Sequence, residues 1–412
     1  MKRRLLPILM TLVLVCALPI WAAFVTSGDV TNPLVCTAGA AEPSVPVEVS
    51  TAADLQSNID AGNSVKLTKN IDINTALNVT STLTLDLNGC TLRMTGTGSV
   101  LKVSGRATLT ITDSSAAKSG TITGGNAEYG GGVYVDDYAA LKMTGGCITG
   151  CHASRGGGGI YSSGNLYMGG TAKIEKCTGS DDAIWNRENS DIYADGGTVD
   201  GTVNNQGTIK RSEGAAAVTV FNGTVYNRSA GTIIAGIYNG TVENNGTISG
   251  GTFCGGVTIR KGSWVWERTG SISGGTFYSS IVNEAGPERV TGVTFAVTFD
   301  RGDGTKTEPT PVKYNDLVPK PTAPTKSGYT FTGWEDANGA YDFNTPVTGP
   351  LTLTAKWEKV PSSGGNYYYH PTTDTKADDA KGSPKTADPG VALYAALSLL
   401  SLTGLTCATK KR

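Results

Sequence analysis

The chain is built from short alternating runs. Leu83-Thr84-Leu85-Asp86-Leu87 and Leu109-Thr110-Ile111-Thr112 put an apolar residue at every second position. That is the period of a strand with one buried face. Such runs are four to six residues long and end in Gly, Asn or Asp, the residues that turn a chain. Between 65 and 295 no segment sustains the 3.6-residue period of an amphipathic helix. The pattern predicts many short strands joined by tight corners.

The runs also recur. Gly-Gly-Gly-Val-Tyr at 130–134 returns as Gly-Gly-Gly-Ile-Tyr at 157–161, and Met143 returns as Met168. Gly-Thr-Ile-Ser-Gly-Gly-Thr-Phe at 246–253 returns as Gly-Ser-Ile-Ser-Gly-Gly-Thr-Phe at 270–277. These shifts, about 24–27 residues each, predict a solenoid. The Leu-x-x-Leu-x-Leu spacing of leucine-rich repeats is absent, which leaves a parallel β-helix of about three strands per coil. Phrases such as Leu-Asp-Leu-Asn-Gly and Gly-Gly-x-Ile-Tyr resemble pectate-lyase-type β-helices and the repeats of bacterial surface passenger proteins. The resemblance implies a right-handed coil. A solenoid needs covered ends. Ser50-Thr51-Ala52-Ala53-Asp54-Leu55 supplies an N-cap and an acidic first turn, with Leu55 and Ile59 on one face. It predicts a capping helix over 50–62.

From Val297 the pattern changes. Val-Thr-Phe-Asp at 297–300, three spaced prolines at 319–324, Gly-Tyr-Thr-Phe-Thr-Gly-Trp at 328–334 and Leu-Thr-Leu-Thr-Ala-Lys-Trp at 351–357 follow in order. This segment resembles the Listeria–Bacteroides repeat, the B-repeat of internalin-type surface proteins. The resemblance implies a small β-grasp-like module, here expected to fold alone around Trp334 and Trp357. After it, a stretch rich in Pro, Ser, Gly, Thr, Asp and Lys cannot build a core and reads as a linker.

Both ends carry targeting patterns. Lys2, Arg3 and Arg4 precede an apolar run from Leu5 to Val25, and Ala38-Gly39-Ala40 offers a small-x-small cleavage site. At the other end stand Ser383, Pro384, Lys385, Thr386 and Ala387, then an apolar run from Val391 to Ala408, then Lys410-Lys411-Arg412. The run is long enough for a bilayer, and the terminal cations would hold its end in the cytoplasm. The arrangement resembles the sorting signal of Gram-positive wall-anchored proteins, with Ser383 and Ala387 departing from its usual Leu and Gly. It implies a sortase that attacks the carbonyl of Thr386 and links the chain to peptidoglycan, after transient membrane contact. A plain transmembrane anchor is the alternative.

The expected order is a signal peptide (1–40), linker and capping helix (41–64), parallel β-helix (65–295), B-repeat (296–358), wall-spanning linker (359–382) and sorting signal with transmembrane helix and basic tail (383–412). The fold class is all-β between those terminal helices.

Charge and cysteine narrow the chemistry. A formal charge of −1 excludes an electrostatic case for nucleic acid. Of eight cysteines, Cys16 and Cys36 precede the cleavage site and Cys407 lies in the tail. The remaining five, an odd number, argue against a complete disulfide framework. Cys147, Cys151, His152 and Cys177 fit a zinc site, an inter-coil disulfide, or thiols packed as small apolar groups. A polysaccharide lyase or glycoside hydrolase would need carboxylates converging on a groove. Asp136-Asp137, Asp181-Asp182 and Arg155 are candidates, but no Gly-His-Gly accompanies them. The favoured reading is therefore non-catalytic, with no cofactor and no metal: an extracellular adhesin-like protein that contacts host or environmental glycans or proteins. Tyr134 and Tyr161, one coil apart, should stack outside, and Tyr167, Trp185 and Tyr193 could extend an aromatic ligand surface. Arg301-Gly302-Asp303 falls at a module turn and is explained by that turn.

Overall fold

The computed structural model describes residues 45–179, 183–262 and 269–361, all within one compact unit that begins at Val45. The expected signal peptide, the linker beyond 361, the sorting signal with its tail segment, and Asp181-Asp182 lie outside the described residues. No helix among the described residues is long and apolar enough to cross a membrane.

Residues 65–283 wind into a parallel β-solenoid with three faces. The third face is the simplest. Its ten strands run from Leu77–Val79 through Leu101–Val103, Val133–Val135 and Ile160–Ser162 to Ile281–Asn283, each paired in parallel with the next. The first and second faces share a larger sheet, because Asn165–Glu175 and Asp191–Asp200 each continue around a corner and join them. Inward Leu, Ile, Val and Met are buried along every face.

Coil length varies more than the sequence period suggests. Along the third face Leu101 pairs with Val133, whereas Val242 pairs with Val257. The stretch of chain between the first pair is more than double that between the second. The recurring sequence phrases therefore report only some of the coils. Corners absorb insertions and deletions, while the strands keep their register. The long coils carry a lateral three-stranded sheet made of Asn126–Tyr129, His152–Gly156 and Thr178–Gly179. The short coils have two-residue strands on the first and second faces, such as Thr232–Ile233 and Ile237–Tyr238.

Two interior columns organise the second half of the solenoid. On the second face Phe221, Tyr238, Phe253 and Phe277 stack with centroid spacings of 5.0, 4.9 and 4.7 Å and nearly parallel planes. On the third face Asn186, Asn205, Asn227 and Asn244 are wholly buried. Each side-chain Nδ2 of the first three donates to the Oδ1 of the next at 2.8 Å. The amides thereby satisfy one another inside an apolar interior.

Both ends are covered. A helix, α1 (Ala52–Asp60), buries Leu55 and Ile59 over the first coil, and the Thr51 hydroxyl accepts from the Asp54 N–H as its N-cap. At the far end lies a five-stranded sheet of Thr310–Lys313, Thr294–Asp300, Leu351–Lys359, Tyr329–Asp336 and Gly339–Ala340, in that order, with a parallel pair at its centre. The segment 314–328, where a β-grasp module carries its helix, contains none. This sheet does not stand apart. Phe295 lies between Phe277 of the last coil and Tyr314 of the module. The Ile281 N–H donates to the Thr348 carbonyl at 2.8 Å, and the Thr291 N–H to the Ile272 carbonyl. The two parts share one core.

Candidate functional site

The outward positions of the third face form a column in register. Lys102, Tyr134, Tyr161, Trp185, Asn204 and Tyr226 succeed one another coil by coil. Parallel strands place equivalent side chains directly above one another, close enough for ring contact. Tyr134 and Tyr161 stack at 5.1 Å with planes 16° apart.

The lateral sheet changes what this column offers. Tyr129, at the end of its first strand, packs on Tyr161 at 4.9 Å and edge-on to Trp185 at 6.4 Å. The Trp185 ring lies so close under Gly156 that a Cβ there would sit 1.8 Å from it. Tyr161 is therefore only 8% exposed. The expected outer stack exists, but Tyr161 is sealed beneath neighbours and cannot itself meet a ligand.

The expected aromatic surface also divides. Tyr167 and Tyr193 lie on the first face, not the third, where they stack at 4.2 Å with Lys210 over the Tyr193 ring at 4.8 Å. Desolvation, then the neighbouring Tyr193, raises the Tyr167 phenol. A cleft of about 440 Å³ opens beside Tyr167, Asp195 and Ser212. Of the five predicted rings, Tyr134 and Tyr167 face clefts, Trp185 and Tyr193 are half-buried, and Tyr161 is covered.

Acidic groups serve turns and ion pairs. The Asp136 carboxylate accepts from the Asp137 N–H at a corner. Arg155 pairs with Glu128 at 2.9 Å. A third cleft holds Glu175 and Asp200, both bridged by Lys173. Among the described residues no three His, Cys, Asp or Glu side chains converge as metal ligands. At Arg301-Gly302-Asp303 the Asp303 carboxylate accepts from the Thr305 hydroxyl and N–H, which lowers its pKa. Gly302 has φ +68° and lies against the Trp357 indole, so this turn is shaped by the module's packing.

The cysteine cluster does not assemble as a zinc site. Gly150, at φ +60°, turns the chain between Cys147 and Cys151. Cys147 ends on a second-face strand and Cys151 in the interior, while His152 points outward to Thr178. Cys90, Cys147, Cys151 and Cys177 are free thiols. Cys151 and Cys177 occupy matching positions in successive coils, where Thr178 N–H donates to the Cys151 carbonyl. A hydrogen bond from Cys151 lowers the Cys177 pKa against its burial, and the same bond, with burial, raises that of Cys151. Burial, then Glu175, pushes Cys147 up to about 11. The thiolate is the reactive form. At pH 8 iodoacetamide should therefore modify Cys177 well before Cys147, whose rate should keep rising until about pH 11. Peptide mapping by mass spectrometry across pH reads this; equal rates at pH 8 would contradict it.

The Asn column and the interior aromatic column were not foreseen. The Asn column left one signal in the sequence: Ile184-Trp185-Asn186, Val203-Asn204-Asn205, Val225-Tyr226-Asn227 and Val242-Glu243-Asn244 all place Asn two residues after a β-branched apolar residue.

Comparison with known proteins gives a family match at the C-terminal module and two similar relatives. Residues 295–356 match the family described as the Listeria-Bacteroides repeat domain. Internalin H of Listeria monocytogenes serovar 1/2a is 36% identical over 95 residues, 22% of this chain and 16% of that protein. A protein named as a Gly-rich membrane protein of Evansella cellulosilytica is 35% identical over 68 residues, 16% of this chain and 8% of its own length. The chain thus spans a small fraction of these relatives. No solved structure matches it. Over its C-terminal module, the chain is similar to the Listeria-Bacteroides repeat domain, carried on a β-solenoid.

Proposed function

We propose that this chain is a non-catalytic, adhesin-like protein displayed on the outside of a Gram-positive cell, where the third face of its solenoid contacts glycans. Similarity to an internalin and to the Listeria-Bacteroides repeat supports a surface location. The terminal patterns support export and attachment to peptidoglycan by a sortase acting at Thr386.

The observation that carries the glycan reading is the outward column from Lys102 to Tyr226. It combines three partly exposed aromatic rings, Tyr134, Trp185 and Tyr226, with the exposed cation Lys102 on one face. Rings offer a stacking surface to the apolar side of a sugar, and cations and phenol hydroxyls meet its hydroxyls. Arg228 adds to it, stacking on Tyr226 at 4.8 Å while its Nε donates to the Asn204 Oδ1. The purified full chain on a glycan array should bind a restricted set of saccharides. Absence of signal on every printed glycan would overturn this reading.

A further inference from the structure

The lateral sheet begins one coil late. The coil that runs from Leu77 to Leu101 is shorter than the next, which runs from Leu101 to Val133. The added length builds the first lateral strand, Asn126–Tyr129. The shorter coil has no matching strand, and beyond the single bridge from Gly98 to Asn126 a notch remains beside Asn126–Tyr129. It is a cleft of about 550 Å³. Thr97–Ser99 and Lys102 form one side, the lateral strand the other, and Tyr134 stands at the third face.

We propose that this notch is a subsite for one neutral pyranose unit of the glycan; the proposal rests on the glycan reading of the third face. Tyr134 is pinned from behind by Tyr161, which Tyr129 holds in turn. A ring fixed before binding loses little conformational freedom on contact. Around it Asn126, Ser154, Lys102 and Glu128 supply both donors and acceptors. Charges near the notch balance. Lys102, Arg155 and Arg187 are matched by Glu128, Asp136 and Asp137, with Glu128 already paired to Arg155. A neutral sugar suits this setting better than an acidic one.

An added peptide strand is disfavoured by the backbone itself. Strand addition needs a row of open N–H and C=O groups. Both backbone groups of Asn126 pair with Gly98, at 2.7 and 2.9 Å, and the Tyr129 carbonyl accepts from the Ser99 hydroxyl. Ala127 and Glu128 between them are too few to template a strand.

The test titrates the full chain with the methyl glycosides of glucose, galactose and N-acetylglucosamine, and with glucuronate, followed by saturation-transfer NMR. At least one neutral glycoside should bind, and glucuronate should bind at least tenfold more weakly. Tyr134→Ala and Asn126→Ala should each weaken the neutral sugar tenfold or more. Tyr134→Phe, which keeps the stacked ring, should stay within about twofold, separating loss of the site from loss of fold. Tyr193→Ala on the first face should have no effect. Unchanged sugar binding in Tyr134→Ala, while the array signal persists, would overturn the notch and leave the glycan reading standing. Preference for glucuronate, or capture of an extended peptide by the notch, would also overturn it. No binding to any glycan would remove both.

Discussion

Asn205→Leu is expected to lower the stability of the solenoid by roughly 2–6 kcal/mol, since each buried polar group left without a partner costs about 1–3 kcal/mol. Leucine keeps the branched shape and heavy-atom count of asparagine and is larger and more apolar, so neither a void nor weaker burial is the cause. The cause is the column. Asn205 accepts from the Asn186 amide and donates to the Asn227 Oδ1, each at 2.8 Å. Both neighbours are wholly buried. Removing the middle amide strands a donor above and an acceptor below, where water cannot reach them. Urea unfolding followed by circular dichroism should show the midpoint fall. The exposed third-face variant Asn78→Ala should leave it in place. The double variant Asn205→Leu/Asn227→Leu should cost less than the sum of its parts, because one interaction is lost only once. An unchanged midpoint in Asn205→Leu would show that the amide column contributes nothing to stability.

Removal of residues 291–361 should destabilise the last coils and drive self-association. Phe277, Ile281 and Val290 are buried in the intact chain. Each contributes about 1.5–3 kcal/mol by burial, so the loss approaches roughly 4–9 kcal/mol as an upper bound. The exposed coil would also present unpaired strand edges. Sedimentation velocity should show oligomers, and limited proteolysis should cut first between 270 and 290. The reverse fragment should suffer too, because Val293 and Phe295 lose their cover. The similarity-based expectation of a self-sufficient module meets a shared core here. A monomeric truncation together with a module that unfolds cooperatively at the parent's midpoint would refute the dependence.

The alternating runs were enough to read short strands, and the recurring phrases to read their stacking into coils, because alternation is local to a strand and a repeated phrase marks an equivalent position. The capping helix was equally legible: Thr51, Asp54, Leu55 and Ile59 carry its whole signal in one short stretch. Coil length was not, since it is set at corners where Gly and Asn recur at no fixed interval. Nor was the fate of Tyr161. Its neighbour Ile160 placed it outside the coil, but Tyr129, from a lateral sheet that no periodicity announces, and Trp185 cover it. The Asn column was missed because a buried amide reads as a turn residue until its stacked partners are known.

The parallel pairing at the centre of the C-terminal sheet has a mechanical consequence. Thr294–Asp300 receives the chain from the solenoid, and Leu351–Lys359 passes it onward. These strands run side by side in the same direction, with Val297 to Asp300 bonded to Leu351 to Thr354. Tension between the solenoid and Lys359 pulls the two strands in opposite senses along their length. Their hydrogen bonds are then loaded together in shear instead of being opened one at a time. In the proposed surface role, force between a ligand and the cell would load the joint in its most resistant direction.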